Sequence, residues 1–430
     1  MNRYLYFSEG QSYPVSNFPR LVETLGGDEL YMHVSSGRFS WQVSGFAIVE
    51  NTPVIVFPKN YTLPEREEDM REETMMLLRS LLRYRNEHDF ETEDSELLFG
   101  DTLNDSSRIA SAIYIIEDFL QYGLITRTRE ITSSTRPGKT DWARTIRLKQ
   151  PLISEGDVIY MQRVTRVNTF DAGNIIRQIH QCIVGDCASL WGWLLQYESS
   201  EGGIEQLPCS CEEAIRLMRK ELSVTYVQRE ITLLKTMIEY LSAVKGAQEN
   251  GKKEFLCTPY FHWIWEAICG YLFENEYSRL KVHIPSPEWH VKNLPSNISQ
   301  RPDILFRKEK KLYILDAKYY NYYRNLPGWH DVVKQFFYRE TIKAVLTGSR
   351  IPEDFQGIQE IENLFVFPGE GNSDLEYLGF VDVAGVPNLG VVKAFAVNSR
   401  KAIRAYALRE ESFFKDELVS VLNSNIQLGI

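Results

Sequence analysis

Two aspartates inside apolar, strand-like runs are the feature that most constrains this chain. The segment ISQRPDILFRKEKKLYILDAKYYNYYR, residues 298–324, places Asp303 in the first run and Asp316 in the second. Burying a carboxylate that has no partner costs several kcal/mol. Acids in such runs are therefore usually paired with a cation or a metal ion, and we take this segment as the centre of a candidate functional site.

A β-hairpin would bring the two aspartates together. Successive side chains of a strand point to opposite faces, so Asp316 and Lys318 should project side by side from one strand end. The polar residues RKEKK between the two runs are few enough for a turn, which would set Asp303 opposite Asp316. Neighbouring carboxylates repel each other unless a cation lies between them, and Mg²⁺ prefers one or two carboxylates with water and phosphate oxygens. The segment thus predicts a Mg²⁺ site, in which Mn²⁺ could substitute.

Each polar group of such a site has a distinct role in phosphodiester hydrolysis. The metal ion would polarise the phosphodiester and stabilise the departing oxyanion, while Lys318 would orient the attacking water or help to deprotonate it. Ala317 can contribute only its backbone carbonyl oxygen as a ligand. Glu266, on the apolar helix before the strands, could add a further ligand or hold a metal-bound water, and a salt bridge to a neighbouring arginine would explain it equally well.

A structural interpretation of Asp303, Asp316 and Lys318 stays open, namely a hairpin with a turn-capping aspartate and an Asp–Lys salt bridge. The neighbouring sequence elements favour the interpretation as a metal-dependent catalytic site over the structural one. Both halves of the pattern fall on predicted strands, an acid-bearing helix precedes them, and a helix containing KQFFY follows.

The net charge of −10 argues against a general surface for polyanions. Contact with DNA would need a local basic patch, and the aspartate segment supplies one, although a solvated loop would account for some of its residues. The basic residues are Arg301, Arg307, Lys308, Lys310, Lys311 and Arg324. Of these, we expect Arg301, Lys310, Lys311 and Arg324 to contact DNA.

The chain has 430 residues, 43% of them hydrophobic, which predicts two or three domains of an α+β multidomain protein. Residues 1–63 are predicted as a β-rich unit for partner or DNA interaction, and residues 64–246 as a helical region with a basic hairpin. Residues 247–430 are predicted as an α/β domain that contains the two aspartates. The boundary before this last domain is placed in the polar segment SAVKGAQENGKKE, residues 242–254.

The β-rich unit contains the strand-like segments ELYMHV, FSWQVSGFAIVE and TPVIVFP, with a hairpin connection at Asn51, Thr52 and Pro53. A helical pattern starts at Pro64, with acids at its beginning and arginines near its end, as the helix dipole favours. The helical region further contains three segments with apolar residues at i, i+3 and i+4. These are NIIRQIHQCIVGDCASLWGWLLQY, CEEAIRLMRKEL and VQREITLLKTMIEYLSAV.

The basic hairpin follows a helix that ends at Gly123. LITRTREITSS and DWARTIRLKQP are predicted as its two strands, in an arrangement that resembles a winged helix. Its positive face would suit phosphates or an acidic partner protein, and a solvated hairpin is the alternative. The residues of this face are Arg127, Arg129, Arg136, Lys139, Arg144, Arg147 and Lys149.

Two other patterns do not predict a site. RPGKT, residues 136–140, ends like a nucleotide-binding loop, but Ser133 stands where the first glycine should be, and no buried strand precedes it. His180 and the nearby cysteines lack the CxxC spacing of a zinc site and favour helix packing. The chain shows no export signal and no run of about eighteen apolar residues, so we expect a cytoplasmic protein with free thiols.

The C-terminal domain is predicted to run in the order α-β-β-β-α-β. Its elements are helix YFHWIWEAICGYLFENE, strands RLKVHI, RPDILFR and KLYILDAKYY, helix HDVVKQFFYRETIKAVLTG and strand NLFVFPG. Further strands and a last helix from about Ser399 follow.

Pro302-Asp303, followed thirteen positions after Asp303 by Asp316-Ala317-Lys318, resembles the PD-(D/E)xK nuclease superfamily. RPDILF…LYILDAKYY is similar to McrC-like nuclease subunits and to the LlaJI-type restriction endonuclease family. GFAIVENTPVIVFPKNY, TDWARTI and LPGWHDVVKQFFY extend the resemblance to the latter over most of the chain. The resemblance implies a C-terminal restriction-endonuclease-like nuclease domain. It also implies a Mg²⁺-dependent endonuclease subunit that acts on double-stranded DNA with a McrB-like, GTP-hydrolysing AAA+ partner, in defence against phage or foreign DNA.

By this resemblance the metal ligands are Asp303 and Asp316, the catalytic lysine is Lys318 and the preceding helical acid is Glu266. Gln335 and Tyr338 resemble a glutamine and a tyrosine of related nucleases that support the site, but their spacing is one residue shorter than Gln-xxx-Tyr. Two other functions stay open. One is a non-catalytic subunit that binds DNA or a partner and stimulates an NTPase, and the other is a stand-alone DNA repair nuclease.

Overall fold

The computed structural model of the protein describes residues 4–25, 32–49, 52–87, 108–154, 157–197, 203–250, 253–288, 290, 300–371, 373–411 and 413–426. The chain forms two compact units. The first combines Met1–Asn104 with Lys252–Ile430, and the second is Asp105–Gly251. None of the helices in the described ranges is both long enough and apolar enough to span a membrane.

The strands are, in chain order, β1 (Leu5–Ser8), β2 (Ser12–Pro14), β3 (Met32–Ser35), β4 (Arg38–Trp41), β5 (Ser44–Val49), β6 (Thr52–Phe57), β7 (Thr128–Ser133), β8 (Lys139–Thr140), β9 (Leu152–Ser154), β10 (Asp157–Ile159), β11 (Thr165–Phe170), β12 (Lys253–Thr258), β13 (Ile304–Lys308), β14 (Lys311–Ala317), β15 (Glu360–Gly369), β16 (Leu375–Val381) and β17 (Val392–Asn398).

The α-helices are α1 (Pro19–Leu25), α2 (Glu67–Glu87), α3 (Arg108–Tyr122), α4 (Trp142–Leu148), α5 (Ile175–Trp191), α6 (Cys211–Leu222), α7 (Gln228–Asn250), α8 (Phe261–Leu272), α9 (Tyr277–Leu280), α10 (Trp329–Leu346), α11 (Ser399–Leu408) and α12 (Phe414–Ile426). Shorter 3-10 helices are Val15–Asn17, Gly192–Leu195, Ile204–Gln206, Lys281–His283, Glu353–Phe355 and Pro387–Leu389.

The N-terminal strands form two small sheets in the first unit. One has the order β2-β4-β3 and the other the order β1-β6-β5-β12. The predicted hairpin of FSWQVSGFAIVE and TPVIVFP is β5–β6, which pairs antiparallel from Val49↔Thr52 to Gly45↔Val56. Asn51 of its predicted connection lies outside the described residues, and Thr52 and Pro53 belong to β6 itself.

The predicted β-rich part does not form a unit of its own. Strand β12, about two hundred residues later in the chain, pairs antiparallel with β5 from Lys253↔Val49 to Thr258↔Ser44. Buried hydrogen bonds add to this, since the Tyr319 hydroxyl donates to Glu9 (2.8 Å) and the Asn60 side-chain amide donates to the Pro368 carbonyl (3.1 Å). The chain therefore divides differently from the predicted segments 1–63, 64–246 and 247–430, because the first and third fold together.

A five-stranded sheet with the order β13-β14-β15-β17-β16 forms the centre of the C-terminal part. β13 and β14 are the predicted antiparallel hairpin, and β14, β15 and β17 run parallel. Helix α10 covers one face, where Leu312 and Ile314 of β14 pack with Tyr338 and Ile342 of the helix. This packing holds the end of β14 next to the first turns of α10.

One predicted strand of this part is wrong. RLKVHI spans the end of the short helix α9 and the 3-10 helix Lys281–His283. The Asn275 side chain accepts a hydrogen bond from the Tyr277 backbone amide (2.9 Å), and the Glu276 backbone carbonyl accepts bonds from Arg279 and Leu280 (3.0 Å each). These local bonds favour a helical turn, which buries Leu280 completely.

The second unit contains the predicted helices as α3, α5, α6 and α7, but its basic hairpin is not built as predicted. The first strand is β7, which pairs with β11 rather than with DWARTIRLKQP. That segment forms helix α4, because the Asp141 side chain caps it by accepting a bond from the Arg144 amide (3.1 Å). The winged-helix-like hairpin, with a single basic face, is therefore not present.

The polar segment predicted as the domain boundary is helical over most of its length, because α7 continues to Asn250. The division between the two units falls at Gly251 and Lys252, within this segment. The boundary between the two units thus lies within the predicted segment, although most of this segment is helical and not an extended linker.

Candidate active site

The register of β13 and β14 brings the two aspartates together. Ile304 pairs with Leu315, so Asp303, one residue before β13, lies opposite Asp316 near the end of β14. Asp316 is buried, and Asp303 Oδ2 accepts a hydrogen bond from the Ala317 backbone amide (2.9 Å). The hairpin therefore has the geometry that the sequence predicts, with both carboxylates at one edge of the sheet.

Lys318 follows β14 and lies between two acids. Its Nζ is 2.8 Å from Asp316 Oδ2 and 2.6 Å from Asp331 Oδ1. Its backbone amide donates to the Val366 carbonyl (2.8 Å), which continues the parallel pairing beyond Ala317. Only 12% of the side chain is exposed, so the ammonium group is held in place from both sides.

Asp331 is a site residue that the sequence analysis missed. It lies in the first turn of α10, where its Oδ2 accepts a hydrogen bond from the Gly328 amide (3.2 Å) while its Oδ1 binds Lys318. An acid in the first turn is favoured by the helix dipole whether or not it has another role. The sequence signal was an acid at the second position of the predicted helix, thirteen residues after Lys318.

Lys334 is the second residue that was missed. Its Nζ lies 3.7 Å from Asp316 Oδ1 and 5.6 Å from the ring centre of Tyr338. Asp331, Lys334 and Tyr338 follow the helical spacing of three and four residues, so they share the face of α10 that points at the strand end. This spacing was visible in the sequence.

The electrostatics of the two aspartates differ because of their neighbours. Burial, together with the hydrogen bond and charge of Asp316 and the charge of Glu266, raises the pKa of Asp303 to about 8. Burial also opposes ionisation of Asp316, but the hydrogen bond with Asp303 and the charge of Lys318 outweigh it and lower the pKa of Asp316. At neutral pH the pair thus holds one proton, mainly on Asp303.

Lys318 stays charged for the same reason. Burial disfavours its ammonium form, but the charges and hydrogen bonds of Asp316 and Asp331 more than compensate and raise the pKa of Lys318. A lysine with a raised pKa is a poor proton acceptor at neutral pH. The surroundings therefore favour a role in orientation and charge compensation.

A cavity of about 1010 Å³ opens beside the aspartates. Asp303, Glu266, Lys334 and Arg301 line it together with aromatic side chains. These are Tyr84, Trp263, Tyr271, Tyr277, Tyr338 and Tyr406. The cavity gives a ligand access to Asp303, and Glu266 of α8 lines it as well, while the role of Glu266 stays a prediction.

Two carboxylates, not three, fit a metal ion. Among the residues that the structure describes, no group of three or more His, Cys, Asp or Glu side chains could hold one together, so Glu266 does not complete a cluster with the aspartates. Asp316 Oδ2 is buried and has no aligned hydrogen bond in the described chain, although Lys318 is at ion-pair distance. Adjacent carboxylates are a donor set that suits Mg²⁺ once Asp303 has lost its proton, since this ion often uses only one or two protein carboxylates.

The predicted DNA contacts lie in different places. Arg301 is exposed and lines the cavity, and Arg324 is exposed in the segment between β14 and α10. Lys310 lies at the turn between β13 and β14 and Lys311 begins β14, roughly 20 Å and roughly 17 Å from Asp316 at about 3.3 Å per residue. The structure therefore brings Arg301 to the aspartates but not Lys310 or Lys311.

Gln335 and Tyr338 lie on α10 close to the aspartates. The Tyr338 hydroxyl donates to the Arg301 carbonyl (3.0 Å), which fastens the helix to the chain just before Asp303. Gln335 is buried, and its side-chain amide has no hydrogen-bond partner in the described part of the chain. Its backbone carbonyl accepts a bond from Asn363 of β15 (2.9 Å). Tyr338 thus supports the position of Asp303, while the role of Gln335 stays a prediction.

The model of the LlaJI restriction endonuclease family matches residues 44–399, most of the chain. The protein therefore belongs to the LlaJI restriction endonuclease family, as the sequence resemblance indicated. The match includes β13, β14 and α10, and thus Asp303, Asp316, Lys318, Asp331 and Lys334.

A curated relative is the Type II restriction enzyme BsuMI component YdjA of Bacillus subtilis (strain 168), which is 25% identical over 321 residues. The alignment covers 67% of this chain, and the chain spans 64% of the length of that relative.

Two solved structures from Thermococcus gammatolerans are also similar. One is a half-complex of McrB AAA+ hexamers with bound McrC, with a TM-score of 0.39, 13% identity, and coverage of 94% of this chain and 99% of that one. The other is the McrBC complex, with a TM-score of 0.27, 14% identity, and coverage of 56% and 79%. At such TM-scores we draw no conclusion from either similarity.

Proposed function

We propose that the protein is a Mg²⁺-dependent endonuclease subunit of a restriction system that hydrolyses phosphodiester bonds in double-stranded DNA. Membership of the LlaJI restriction endonuclease family supports the class of reaction. The single observation that carries the site is the Asp303–Asp316 pair beside Lys318, with Asp316 buried and Asp303 at the wall of an open cavity. The resemblance to the PD-(D/E)xK superfamily, which assigns roles to the same three residues, supports this proposal.

In this proposal Asp303 and Asp316 hold Mg²⁺, or Mn²⁺ as a substitute. The Ala317 carbonyl at the same strand end is a further candidate ligand, and Glu266 on the cavity wall could hold a bound water. When bound, the ion supplies Lewis acidity that polarises the phosphodiester. Asp303 must lose its proton to serve as a ligand, so metal affinity should rise with pH up to the raised pKa of Asp303.

Lys318 positions the attacking water and offsets negative charge in the transition state. Asp331 supports this role, because its ion pair with Lys318 (2.6 Å) fixes the direction of the side chain. Since Asp316 and Asp331 keep the lysine protonated, we assign it orientation rather than proton abstraction.

We also propose that a McrB-like AAA+ GTPase controls cleavage, in defence against phage or foreign DNA. This part of the proposal rests on the resemblance of RPDILF…LYILDAKYY to McrC-like subunits and on the unsuitable RPGKT segment, which has Ser133 where a nucleotide-binding loop needs glycine. Co-purification of the tagged protein with the AAA+ product of a neighbouring reading frame would test it. Failure to co-purify both with and without added GTP or ATP would speak against this partner.

The nuclease proposal is tested by cleavage of phage and plasmid DNA with Mg²⁺, with and without the AAA+ protein and GTP or ATP. Asp316→Ala and Lys318→Ala should abolish cleavage, whereas Glu362→Gln, on β15 next to the first residues of β14, should retain it. Full cleavage by both site variants would contradict the assignment. Absence of cleavage by the wild type under all these conditions, with stimulation of the NTPase, would favour a non-catalytic subunit.

A further inference from the structure

Lys334 differs from Lys318 in its exposure and in how closely acidic side chains contact its ammonium group. Lys318 has two acids within 2.8 Å of its Nζ and is almost buried. Lys334 is 41% exposed, and in the described part of the chain its ion pair is the 3.7 Å contact to Asp316 Oδ1. This distance is too long for a hydrogen bond, so Asp316 leaves donors of the ammonium group available to a ligand.

The position of Lys334 is nevertheless fixed. Its Nζ lies over the Tyr338 ring, which attracts a cation, and the Tyr338 hydroxyl is anchored to the Arg301 carbonyl. Lys334 also precedes Gln335, whose carbonyl is tied to β15 through Asn363. The ammonium group is therefore held on the wall of the cavity, next to the carboxylates, without being neutralised by them.

A cation on the wall next to the acids would favour entry of an anion. Glu266 lines the wall and Asp316 lies directly behind it, so a phosphate would meet these carboxylates, and Arg301 also lines the wall. Arg83 on the same wall stacks on Tyr271 and Tyr406 and pairs with Glu87, which uses its charge locally. Lys334 is the lysine on this wall nearest to the aspartates.

We propose that Lys334 contacts the scissile phosphate of bound DNA from the cavity side, through a non-bridging oxygen. This inference rests on the proposed nuclease function and assigns its second cation, opposite Lys318. Lys318 acts within the protein, bound to Asp316 and Asp331, while Lys334 faces the substrate. DNA binding then replaces the long contact to Asp316 by a direct charge-assisted hydrogen bond to phosphate.

The test compares the wild type with Lys334→Gln and Lys334→Arg. Lys343→Gln is the matched control, because Lys343 lies on the same helix, is 47% exposed, and has a similarly long contact to Glu340 (3.9 Å). Affinity for a DNA duplex is measured in EDTA over a series of salt concentrations, which reports phosphate contacts without cleavage. Single-turnover cleavage is then measured with Mg²⁺, with Asp316→Ala as the inactive reference.

We expect the slope of log affinity against log salt to be less steep by about 1 in Lys334→Gln, and to be unchanged in Lys334→Arg and Lys343→Gln. The cleavage rate of Lys334→Gln should fall on the order of 10²-fold, and that of Lys334→Arg less than about tenfold. An altered slope with a normal rate would place the contact at another phosphate and overturn the proposal. A reduced rate with a normal slope would show an effect through Asp316 instead, and would overturn it as well.

These outcomes are separable from failure of the proposed function. If Asp316→Ala is inactive while Lys334→Gln behaves as the wild type in both assays, only the role of Lys334 is wrong. If Asp316→Ala cleaves normally, the nuclease assignment of the aspartates is wrong, whatever the salt dependence of Lys334→Gln.

Discussion

Strand β14 carries charged residues at both ends, and the two ends are built differently. At its start, Lys311 binds Glu360 (2.7 Å) and Glu362 (3.2 Å), and Lys393 of β17 also binds Glu362 (2.7 Å). At its end, Asp316 faces Asp303, which needs a proton to tolerate the contact. The first end compensates its charges within the fold, while the second retains an excess of acid beside a cavity.

The difference shows which charged cluster stabilises the protein and which is a candidate for chemistry. A network in which acids and lysines already neutralise each other does not favour binding of an external cation. Two adjacent carboxylates oppose each other's ionisation, and a bound cation would stabilise their ionised form. The comparison predicts that variants at the two ends have opposite effects on activity and stability.

The largest expected effect is on cleavage. Asp316→Asn should reduce the single-turnover rate on DNA on the order of 10³-fold or more, because it removes a metal ligand and the partner of Lys318. Glu362→Gln should cleave within about twofold of the wild type when assayed well below its unfolding temperature. Equal losses in both variants would remove the distinction between the two ends.

The second effect is on stability, where the variant at the start of β14 should be affected more than the variant at its end. Glu362→Gln should lower the free energy of unfolding by about 2 kcal/mol, because Lys311 and Lys393 would lose their shared partner in a poorly exposed position. Asp303→Asn should keep or raise stability, because it removes a carboxylate that burial disfavours. Urea unfolding in EDTA measures both, and a clear loss in Asp303→Asn would mean that this end is a stabilising network too.

A third, smaller effect is a pH dependence of stability. Because the pKa of Asp303 is raised from 3.8 to about 8, the folded protein holds a proton that the unfolded chain releases between these values. In EDTA, wild-type stability relative to Asp303→Asn should therefore fall as the pH rises through this window, and level off above it. Unfolding curves at about pH 5.5, 7 and 8.5 measure this difference, and a constant value would contradict the raised pKa.

The smallest expected effect is at the turn between β13 and β14. Lys310→Gln should change stability by less than about 0.5 kcal/mol and leave DNA affinity unchanged, since Lys310 is exposed and far from Asp316. Arg301→Gln, on the cavity wall, should weaken DNA binding measurably. A matching loss in Lys310→Gln would show that DNA extends along the hairpin to its turn.

Local patterns were enough to predict the hairpin and the helix behind it. The apolar runs around Asp303 and Asp316 and the short RKEKK connection leave one register in which both runs are buried, and β13 and β14 adopt it. The periodicity of HDVVKQFFYRETIKAVLTG likewise gave α10. Within α10, the same periodicity would have grouped Asp331 and Lys334 with Tyr338 had it been applied to polar residues.

The errors arose where a local signal was overlooked or where partners are distant in sequence. In DWARTIRLKQP the capping aspartate Asp141 signals a helix, but the segment was predicted as a strand. The pairing of β12 with β5 has no local signature in the sequence, because the residue pattern of a strand does not indicate which other strand it pairs with. Separate segments were therefore predicted where the chain returns to complete the N-terminal sheet.

The most direct measurement for the central claim is calorimetric titration of Mg²⁺ and Mn²⁺ into the wild type, Asp316→Asn and Glu362→Gln near pH 8, without DNA. We expect saturable binding to the wild type, accompanied by proton release as Asp303 ionises, and the same binding to Glu362→Gln. Asp316→Asn should show no specific binding. Wild-type affinity and proton release in Asp316→Asn would contradict the assignment of the Asp303–Asp316 end of the strand pair as the metal site.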